Sequence, residues 1–403
     1  MIFQTKTKTP ITPITETERS AFCREETNLE TKPLVEETKS KARWQKIPIE
    51  YMRLTPDELD TRISKSKNKL KEKIIILGHH YQRDQIIKYT DYQGDSFKLA
   101  QYAASIPELE YIIFCGVHFM AETADILSKK HQKVILPNLT AGCSMADMAI
   151  TEDVLDCWED LNELVGNNVV TPITYMNSTA AIKSICGENG GLVCTSSNAT
   201  EAMKWAFSNR EKILFIPDQH LGRNTGKKLG IKLDEMVIWN PFKELGGNTL
   251  DSIKNSKLIL WQGHCSVHTR FNIDQIENAK KKFPEINIIV HPECTMDVVD
   301  NSDFVGSTEY IIKTINEGAP GSIWGVGTEI NLVNRIAKQN TDKTIFCLDS
   351  MVCPCSTMYR IHPAYLCWVL ESIESGKIIN QIEVDKKIIN NSKIALNSML
   401  SLE

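Results

Sequence analysis

The feature that most constrains the fold of this chain is a series of short apolar runs, alternating with helix-period segments, that recurs three times from Lys73 onward. The strand candidates cover residues 73–81, 111–119 and 133–138, then 169–178, 191–199, 212–218 and 257–263, and finally 286–294, 303–311, 322–329 and 344–349. Buried strands that alternate with helices are typical of a parallel sheet covered on both faces. The sequence therefore predicts an α/β fold of three αβα sandwich domains with parallel sheets, related by a pseudo-threefold axis.

The same series sets the expected domain boundaries. We expect the first unit over residues 46–160, the second over 161–270 and the third, with C-terminal helices, over 271–403. Residues 219–255 interrupt the second unit without strong periodicity, which predicts an inserted functional loop or lid. Residues 1–45 are rich in Thr, Lys and Glu and have almost no apolar periodicity, so we expect a disordered leader.

Polar residues spaced two apart follow the first strand of each unit. These pairs are His79 and Tyr81, Tyr175 and Asn177, and His291 and Glu293. In an extended segment, residues two apart point to the same side, so each pair is expected to face a common site. Glu293 is a candidate general base, because burial would move the pKa of its carboxyl toward working pH.

Hydroxyl residues open a helix after the second strand of two units. Ser196 precedes one helical segment, and Ser307 and Thr308 open another. These residues suit anion binding at helix N-termini, although simple N-caps would look the same. If they bind ligands, the substrates carry carboxylates or a phosphate.

A cysteine follows the last strand of each unit within a few residues. The three are Cys143, Cys265 and Cys355. The carboxyl ends of parallel strands are where α/β sheets place their sites, so three units can each supply one thiolate to a shared centre. An iron-sulfur cluster with three cysteine ligands would leave one iron open as a Lewis acid, while zinc is the rival metal. Cys353 competes with Cys355 as the third ligand.

The other cysteines have simpler interpretations. Cys115, Cys194 and Cys347 lie inside apolar strand-like runs and are expected in the core. Cys294 is either a reactive thiol beside Glu293 or a spectator in a crowded loop.

Charge and hydropathy exclude several functional classes. The formal net charge is −5 and the isoelectric point is near 6.1, with Lys and Arg spread along the chain, so no nucleic-acid partner is expected. No apolar run approaches the roughly 20 residues that cross a bilayer, and the N-terminus lacks the apolar core of a secretory signal. We therefore expect no membrane partner and a cytoplasmic protein whose twelve cysteines are mostly thiols or ligands.

A family resemblance rests on ordered motifs over residues 70–375. These motifs are GHHYQ (78–82), GDSFKLA (94–100), FCGVHFMAETA (114–124), PNLTAGCSMADM (137–148), YMNSTA (175–180), CTSSNA (194–199), WQGHCSVH (261–268), HPEC (291–294), GST (306–308), GTE (327–329) and CSTMYRI (355–361). On these motifs the chain resembles the quinolinate synthases, in the longer version of that family.

The resemblance implies three αβα domains around a [4Fe-4S] cluster held by Cys143, Cys265 and Cys355. It also implies condensation of iminoaspartate with dihydroxyacetone phosphate to quinolinate, with release of phosphate and water, for NAD biosynthesis. A functional link to the enzyme that supplies iminoaspartate follows.

The resemblance also assigns roles to site residues. Glu293 would act as base, with Tyr81 and His291 assisting proton transfer, and Met120 would line the cavity. The substrate-binding residues would be His79, Ser96, Tyr175, Asn177, Ser196, Ser307 and Thr308. Two alternatives from other classes are a zinc-dependent aldolase or hydratase on the same scaffold and a non-enzymatic iron-sulfur redox sensor.

Overall fold

The computed structural model describes residues 13–25, 29–106 and 108–402 and contains three sheets that are almost entirely parallel. The first elements of the described part are α1 (Glu16–Arg19), α2 (Leu34–Glu37), α3 (Ile49–Met52) and α4 (Pro56–Leu70). The first unit follows with β1 (Ile74–His79), α5 (Asp84–Ile87), β2 (Tyr92–Gly94), α6 (Ser96–Ser105), β3 (Tyr111–Cys115), α7 (His118–Leu127), β4 (Lys133–Ile135) and then α8 (Thr151–Val165). The predicted α/β class with three αβα sandwiches is confirmed.

The second and third units continue the same pattern. The second contains β5 (Val170–Tyr175), α9 (Ala180–Glu188), β6 (Leu192–Cys194), α10 (Ala199–Asn209), β7 (Lys212–Ile216), α11 (Gln219–Lys228), β8 (Met236–Trp239), α12 (Leu250–Asn255) and β9 (Leu258–Trp261). The third contains α13 (Ile273–Lys282), β10 (Asn287–Val290), α14 (Met296–Asp300), β11 (Phe304–Val305), α15 (Thr308–Glu317), β12 (Ile323–Gly327), α16 (Ile330–Gln339) and β13 (Thr344–Cys347). The C-terminal part is α17 (Pro363–Glu374), β14 (Gln381–Ile382) and α18 (Lys386–Leu400).

All three sheets share one strand order. It is β4-β3-β1-β2 in the first unit, β9-β7-β5-β6 in the second and β13-β12-β10-β11 in the third. In each unit, therefore, the first strand lies between the second and the third strands. All six residues of β1 and of β5 are buried, because helices cover both faces of the sheet. This repetition brings the polar pairs at the ends of β1, β5 and β10 to equivalent positions.

Residues 219–255 are not the loop or lid that was expected. They form α11, the strand β8 and α12, and β8 pairs in parallel with β9 at the edge of the second sheet. The segment has weak apolar periodicity partly because α11 packs through glycine. A Cβ at Gly222 would lie 2.5 Å from Leu260 Cδ2 and 2.7 Å from Phe215 Cδ1, so glycine allows close approach of this helix to the sheet.

The third sheet contains a shorter strand than the sequence predicted. The strand expected over residues 303–311 is limited to Phe304–Val305. It ends there because the Ser307 side chain accepts a hydrogen bond from Tyr310 N and caps α15.

The N-terminal segment is also more ordered than expected. Residues 1–12 and 26–28 lie outside the described residues, but 13–25 and 29–45 pack against the rest of the chain. Leu34 is fully buried, and the buried carboxyl of Glu18 bonds both Arg43 and Arg360. Order here comes from single buried anchors with distant partners, and periodicity does not report such anchors.

The C-terminal elements pack against the first two units, although the sequence predicted them as part of the third. β14 pairs antiparallel with β4 in the first sheet. α17 packs on α4, and α18 packs on α9 and β6. Among the described residues, no helix has both the length and the apolar character that crossing a bilayer requires.

Contact between α9 and α18 depends on Gly187. A Cβ added there would lie 2.0 Å from the backbone oxygen of Asn391, which cannot rotate away. We expect Gly187→Ala to lower the free energy of unfolding by about 1–3 kcal/mol, the usual cost of overpacking. Chemical denaturation measures this change. Glu188→Ala, at the exposed next position of α9, is the control, and equal stability of the two variants would contradict the close packing.

Candidate active site

One cavity of about 70 Å³ collects side chains from all three units. Its lining includes twelve of the thirteen predicted site residues: His79, Tyr81, Ser96, Cys143, Tyr175, Asn177, Ser196, Cys265, His291, Glu293, Thr308 and Cys355. Met120 also lines it. The remaining residue, Ser307, caps α15 and lines a neighbouring groove. The polar pairs, the hydroxyl residues and the cysteines therefore meet at one place.

The three cysteine loops have the same local structure. Each cysteine is followed by a serine, a 3₁₀ turn begins three residues after it, and an α-helix begins eight residues after it. In each loop the backbone oxygen of the cysteine accepts a hydrogen bond from the residue four positions later, at 3.0, 3.1 and 2.9 Å. The turn fixes the direction of each cysteine side chain.

Backbone amides point at each cysteine sulfur. The donors are the second and third residues after the cysteine: Met145 and Ala146, Val267 and His268, and Thr357 and Met358. Burial raises the pKa of all three thiols, that of Cys143 to about 12, and these amides act in the opposite direction. Three soft sulfur donors, each facing N–H groups that favour negative charge, fit a metal or cluster that binds thiolates.

Two other cysteines near the cavity have different environments. Cys353 forms a disulfide with Cys23, so its sulfur is engaged outside the cavity. Cys294 is fully buried, its Sγ lies 3.7 Å from the oxygen of Gly327, and burial raises its pKa well above the usual value. A thiol with a raised pKa is a poor nucleophile, which favours the spectator interpretation.

A chain of hydrogen bonds joins Glu293 to Tyr81. Glu293 Oε2 lies 2.7 Å from His268 Nδ1, and His268 Nε2 lies 3.1 Å from Thr328 Oγ1. Thr328 Oγ1 in turn lies 3.0 Å from the hydroxyl of Tyr81. The ring of His268 is 1% exposed and stacks on His291 with centroids 4.3 Å apart. Glu293 and Tyr81 were predicted as site residues from the sequence. The two residues that link them, His268 and Thr328, were not.

The pKa of Glu293 shifts in the direction opposite to the expected one. Burial alone would raise the pKa of Glu293, but the neighbouring His291 and His268 lower it to about 2, so the carboxyl is ionised. Burial lowers the pKa of His79 and of His291 to about 3, so both rings are neutral near pH 7. The expected upward shift at Glu293 is wrong because its histidine neighbours outweigh burial.

Two buried carboxyl groups order the second and third cysteine loops. Asp218 and Glu329 each lie two residues after the third strand of their unit, and each caps the helix that follows. Asp218 accepts a hydrogen bond from the backbone of Cys265, and Glu329 Oε1 accepts one from Cys355 N at 3.1 Å. Burial raises the pKa of Glu329 to about 7. The matching position of the first unit is Val117.

Helix N-termini give the cavity sites for anions, and one unpaired amide oxygen gives it a hydrogen-bond acceptor. Ser96 and Thr308 are the first residues of α6 and α15 and line the cavity at the positive ends of these helices. Asn177 Oδ1 is buried without a hydrogen-bond partner among the described residues. Its side chain is therefore available to a bound molecule.

A buried lysine supports the turn that carries Tyr175 and Asn177. Lys183 is fully buried, and its Nζ donates to the backbone oxygens of Met176, at 2.9 Å, and of Ser178, at 2.5 Å. Burial lowers the pKa of Lys183 to about 8. Nothing in the sequence distinguished this lysine from an exposed one.

Comparison with known proteins identifies the family. A family model described as quinolinate synthetase A protein matches residues 61–401. The chain belongs to the quinolinate synthase family. It is 54% identical over 360 residues to the quinolinate synthase of Corynebacterium glutamicum. The aligned residues make up 89% of this chain and 91% of that protein.

Two further relatives agree with this assignment. The quinolinate synthase of Streptomyces coelicolor is 52% identical over 348 residues, or 86% of this chain and 88% of the relative. The quinolinate synthase of Bacillus anthracis is 51% identical over 354 residues, or 88% of this chain and 96% of the relative. The predicted resemblance to quinolinate synthases is confirmed, and residues 13–45 lie outside the part matched by the family model.

Replacement of Lys183 tests the support of the turn. In Lys183→Met the oxygens of Met176 and Ser178 lose their donor, and we expect the free energy of unfolding to fall by about 1–3 kcal/mol. Lys204→Met, at an exposed position of α10, is the control and should change little.

The difference in the free energy of unfolding between the parent and Lys183→Met should depend on pH with a definite sign. Since burial lowers the pKa of Lys183 from 10.5 to about 8, the unfolded chain binds more protons at this residue between these values. The free energy of unfolding of the parent, relative to that of Lys183→Met, should therefore rise with pH from about 8 to 10.5. Denaturation at a series of pH values measures it, and a fall across this window would contradict the assignment.

Proposed function

We propose that this protein condenses iminoaspartate with dihydroxyacetone phosphate to quinolinate, releasing phosphate and water, as a step of NAD biosynthesis. The observation that carries the proposal is the threefold repetition of the cysteine loop at a cavity that also holds polar pairs and helix N-termini. Membership of the quinolinate synthase family supports it. We also propose a functional link to the enzyme that supplies iminoaspartate.

We propose that Cys143, Cys265 and Cys355 hold a [4Fe-4S] cluster. The donor set fits this group, because three thiolates and the amides around them favour a cofactor bound through sulfur. With three protein ligands, the cluster would supply a Lewis-acidic iron at this end of the cavity.

The chain's own residues would bind and orient the two anionic substrates. Both substrates carry negative charge, in carboxylates or a phosphate, and the N-termini of α6 and α15 offer positive potential with hydroxyl donors. We assign anion binding to Ser96, Asn177, Ser196, Ser307 and Thr308, with His79 and Tyr175 completing the substrate contacts.

Glu293 would take the proton that the condensation releases from carbon. Its carboxyl is ionised, faces the cavity and bonds His268. His268 and Thr328 connect it to Tyr81, so the cavity has a proton acceptor and a proton donor joined by one hydrogen-bonded chain. Neutral His291, stacked on His268, would keep that ring in place.

A zinc-dependent aldolase or hydratase is the second candidate. One donor atom each from Cys265, His268 and Glu293 lies within 4.8 Å of the others, and zinc accepts this combination of ligands. Anaerobic reconstitution with iron and sulfide decides between them, because an iron-sulfur protein is coloured and a zinc protein is colourless. A non-enzymatic iron-sulfur redox sensor would not need the hydrogen-bonded chain from Glu293 to Tyr81, so this chain favours an enzyme.

The decisive assay measures quinolinate formed by the reconstituted protein from iminoaspartate and dihydroxyacetone phosphate. We expect Cys143→Ser, Cys265→Ser and Cys355→Ser each to lose the visible absorption and all activity, because a cluster left with two cysteines lacks a ligand. Cys157→Ala, a buried position in α8, should keep both. A fully loaded parent protein that makes no quinolinate would exclude the proposed function.

Thr328 offers a test of the proton path that removes neither end of it. Thr328→Val keeps the shape but deletes the hydroxyl between His268 and Tyr81, and we expect kcat to fall at least about tenfold, with KM little changed. Thr328→Ser should restore most of the rate. The Tyr81 hydroxyl also lies 3.5 Å from His268 Nε2, so equal kcat in the valine variant and the parent would show that the Thr328 hydroxyl is not part of the path.

A further inference from the structure

The N-terminal residues 13–25, which we name the strap, contact the cysteine loops of the first and second units. Ile14 N donates to Asp147 Oδ2 at 2.8 Å, and Asp147 lies in the 3₁₀ turn that follows Cys143. Arg270 Nη1 donates to Cys23 Sγ at 3.3 Å, and Arg270 closes the turn that follows Cys265. The strap therefore spans two of the three loops.

Contacts with the third loop are the most extensive. Cys23 is disulfide-bonded to Cys353, two residues before Cys355. Arg24 and Val352 exchange two backbone hydrogen bonds of 3.0 Å each. The ring of Phe22 lies 4.8 Å from that of Tyr359, which is in the turn that follows Cys355. One short segment thus touches all three loops, each of which comes from a different unit.

A buried ionic contact anchors the centre of the strap. Glu18 is 2% exposed, and its Oε1 accepts hydrogen bonds from Arg43 Nε at 2.9 Å and from Arg360 Nη2 at 3.0 Å. Burial would raise the pKa of Glu18, but these partners lower it to about 2, so the anchor is an ion pair near neutral pH. Arg360 ends the 3₁₀ turn after Cys355 and also donates to Thr140 O at 3.0 Å in the first loop.

We propose that the strap is a clasp that holds the three cysteine loops together and that reduction of the Cys23–Cys353 disulfide releases it. A dithiol would open the clasp by thiol–disulfide exchange: the Cys23–Cys353 bond breaks, two cysteine thiols form and the dithiol becomes a disulfide. The other strap contacts are backbone hydrogen bonds, the ring contact of Phe22 with Tyr359 and the ion pairs of Glu18 with Arg43 and Arg360. The disulfide is the one covalent cross-link of the strap among the described residues, so it supplies much of the closure. Release exposes the cysteine loops to reagents in solution.

This inference rests on the proposed function only for the role of the three cysteines, and its test uses metal-free protein without an activity assay. Full-length protein is prepared with the disulfide intact, and a second sample is reduced with dithiothreitol and desalted anaerobically. Iodoacetamide then labels both samples, and mass spectrometry follows modification of Cys143, Cys265 and Cys355. Cys194, buried in β6, reports global unfolding in the same samples.

We expect the three loop cysteines to react about tenfold faster after reduction, because a cross-link between residues 330 apart strongly restricts opening. Cys23→Ser should show the fast rate with and without dithiothreitol, while Cys194 stays slow in every sample. Three results would each overturn the clasp: equal loop rates before and after reduction, a parallel rise at Cys194, or free Cys23 and Cys353 thiols in protein purified in air. Failure to make quinolinate would leave these rates unaffected, so the two proposals are tested separately.

Discussion

The structure depends on the way in which backbone amides hold the sulfur atoms of three partly buried cysteines. A thiol removed from water resists ionisation, and three of them near one another resist it more, unless fixed positive dipoles face each sulfur. The Cys-Ser loop provides those dipoles by turning at once into a 3₁₀ helix, which aims two N–H groups at the side chain. The parallel sheets behind the loops bring these turns to the same place. Much of the fold can be understood as the scaffold that three such loops require.

Buried carboxyl groups extend the same principle away from the sulfurs. Asp218 and Glu329 accept hydrogen bonds from the backbone of Cys265 and Cys355 and also cap helices, so one side chain orders a loop and a helix together. Glu293 is held differently, through a 2.7 Å hydrogen bond to His268 that favours its ionised form. The carboxyl groups at and behind the cavity therefore lie in two electrostatic environments: burial raises the pKa of Asp218 and Glu329, while the pKa of the cavity-lining Glu293 is lowered.

The sequence predicted the features that local periodicity controls. Strand ends, the alternation that pairs His79 with Tyr81, and the cysteine after each last strand all follow from short stretches of chain. His268, Thr328 and Lys183 were missed, because their importance comes from partners that the fold supplies. His268 had one available signal: it lies within a recognised motif, at the loop position that Ala146 and Met358 occupy in the other units. The N-terminal segment and residues 219–255 were misjudged for the same reason, since isolated buried anchors and glycine packing leave little periodicity.

The common strand order has a consequence for the interpretation of individual residues. Because the three units superpose in topology, each position in one unit has two counterparts in the same molecule. The chain thus carries its own three-way alignment, and departures from it distinguish specialised positions from those that the scaffold requires. By this criterion the serine after each cysteine belongs to the shared scaffold. The positions equivalent to His268 are occupied by Ala146 in the first unit and Met358 in the third. His268 is therefore a specialisation of the second unit alone.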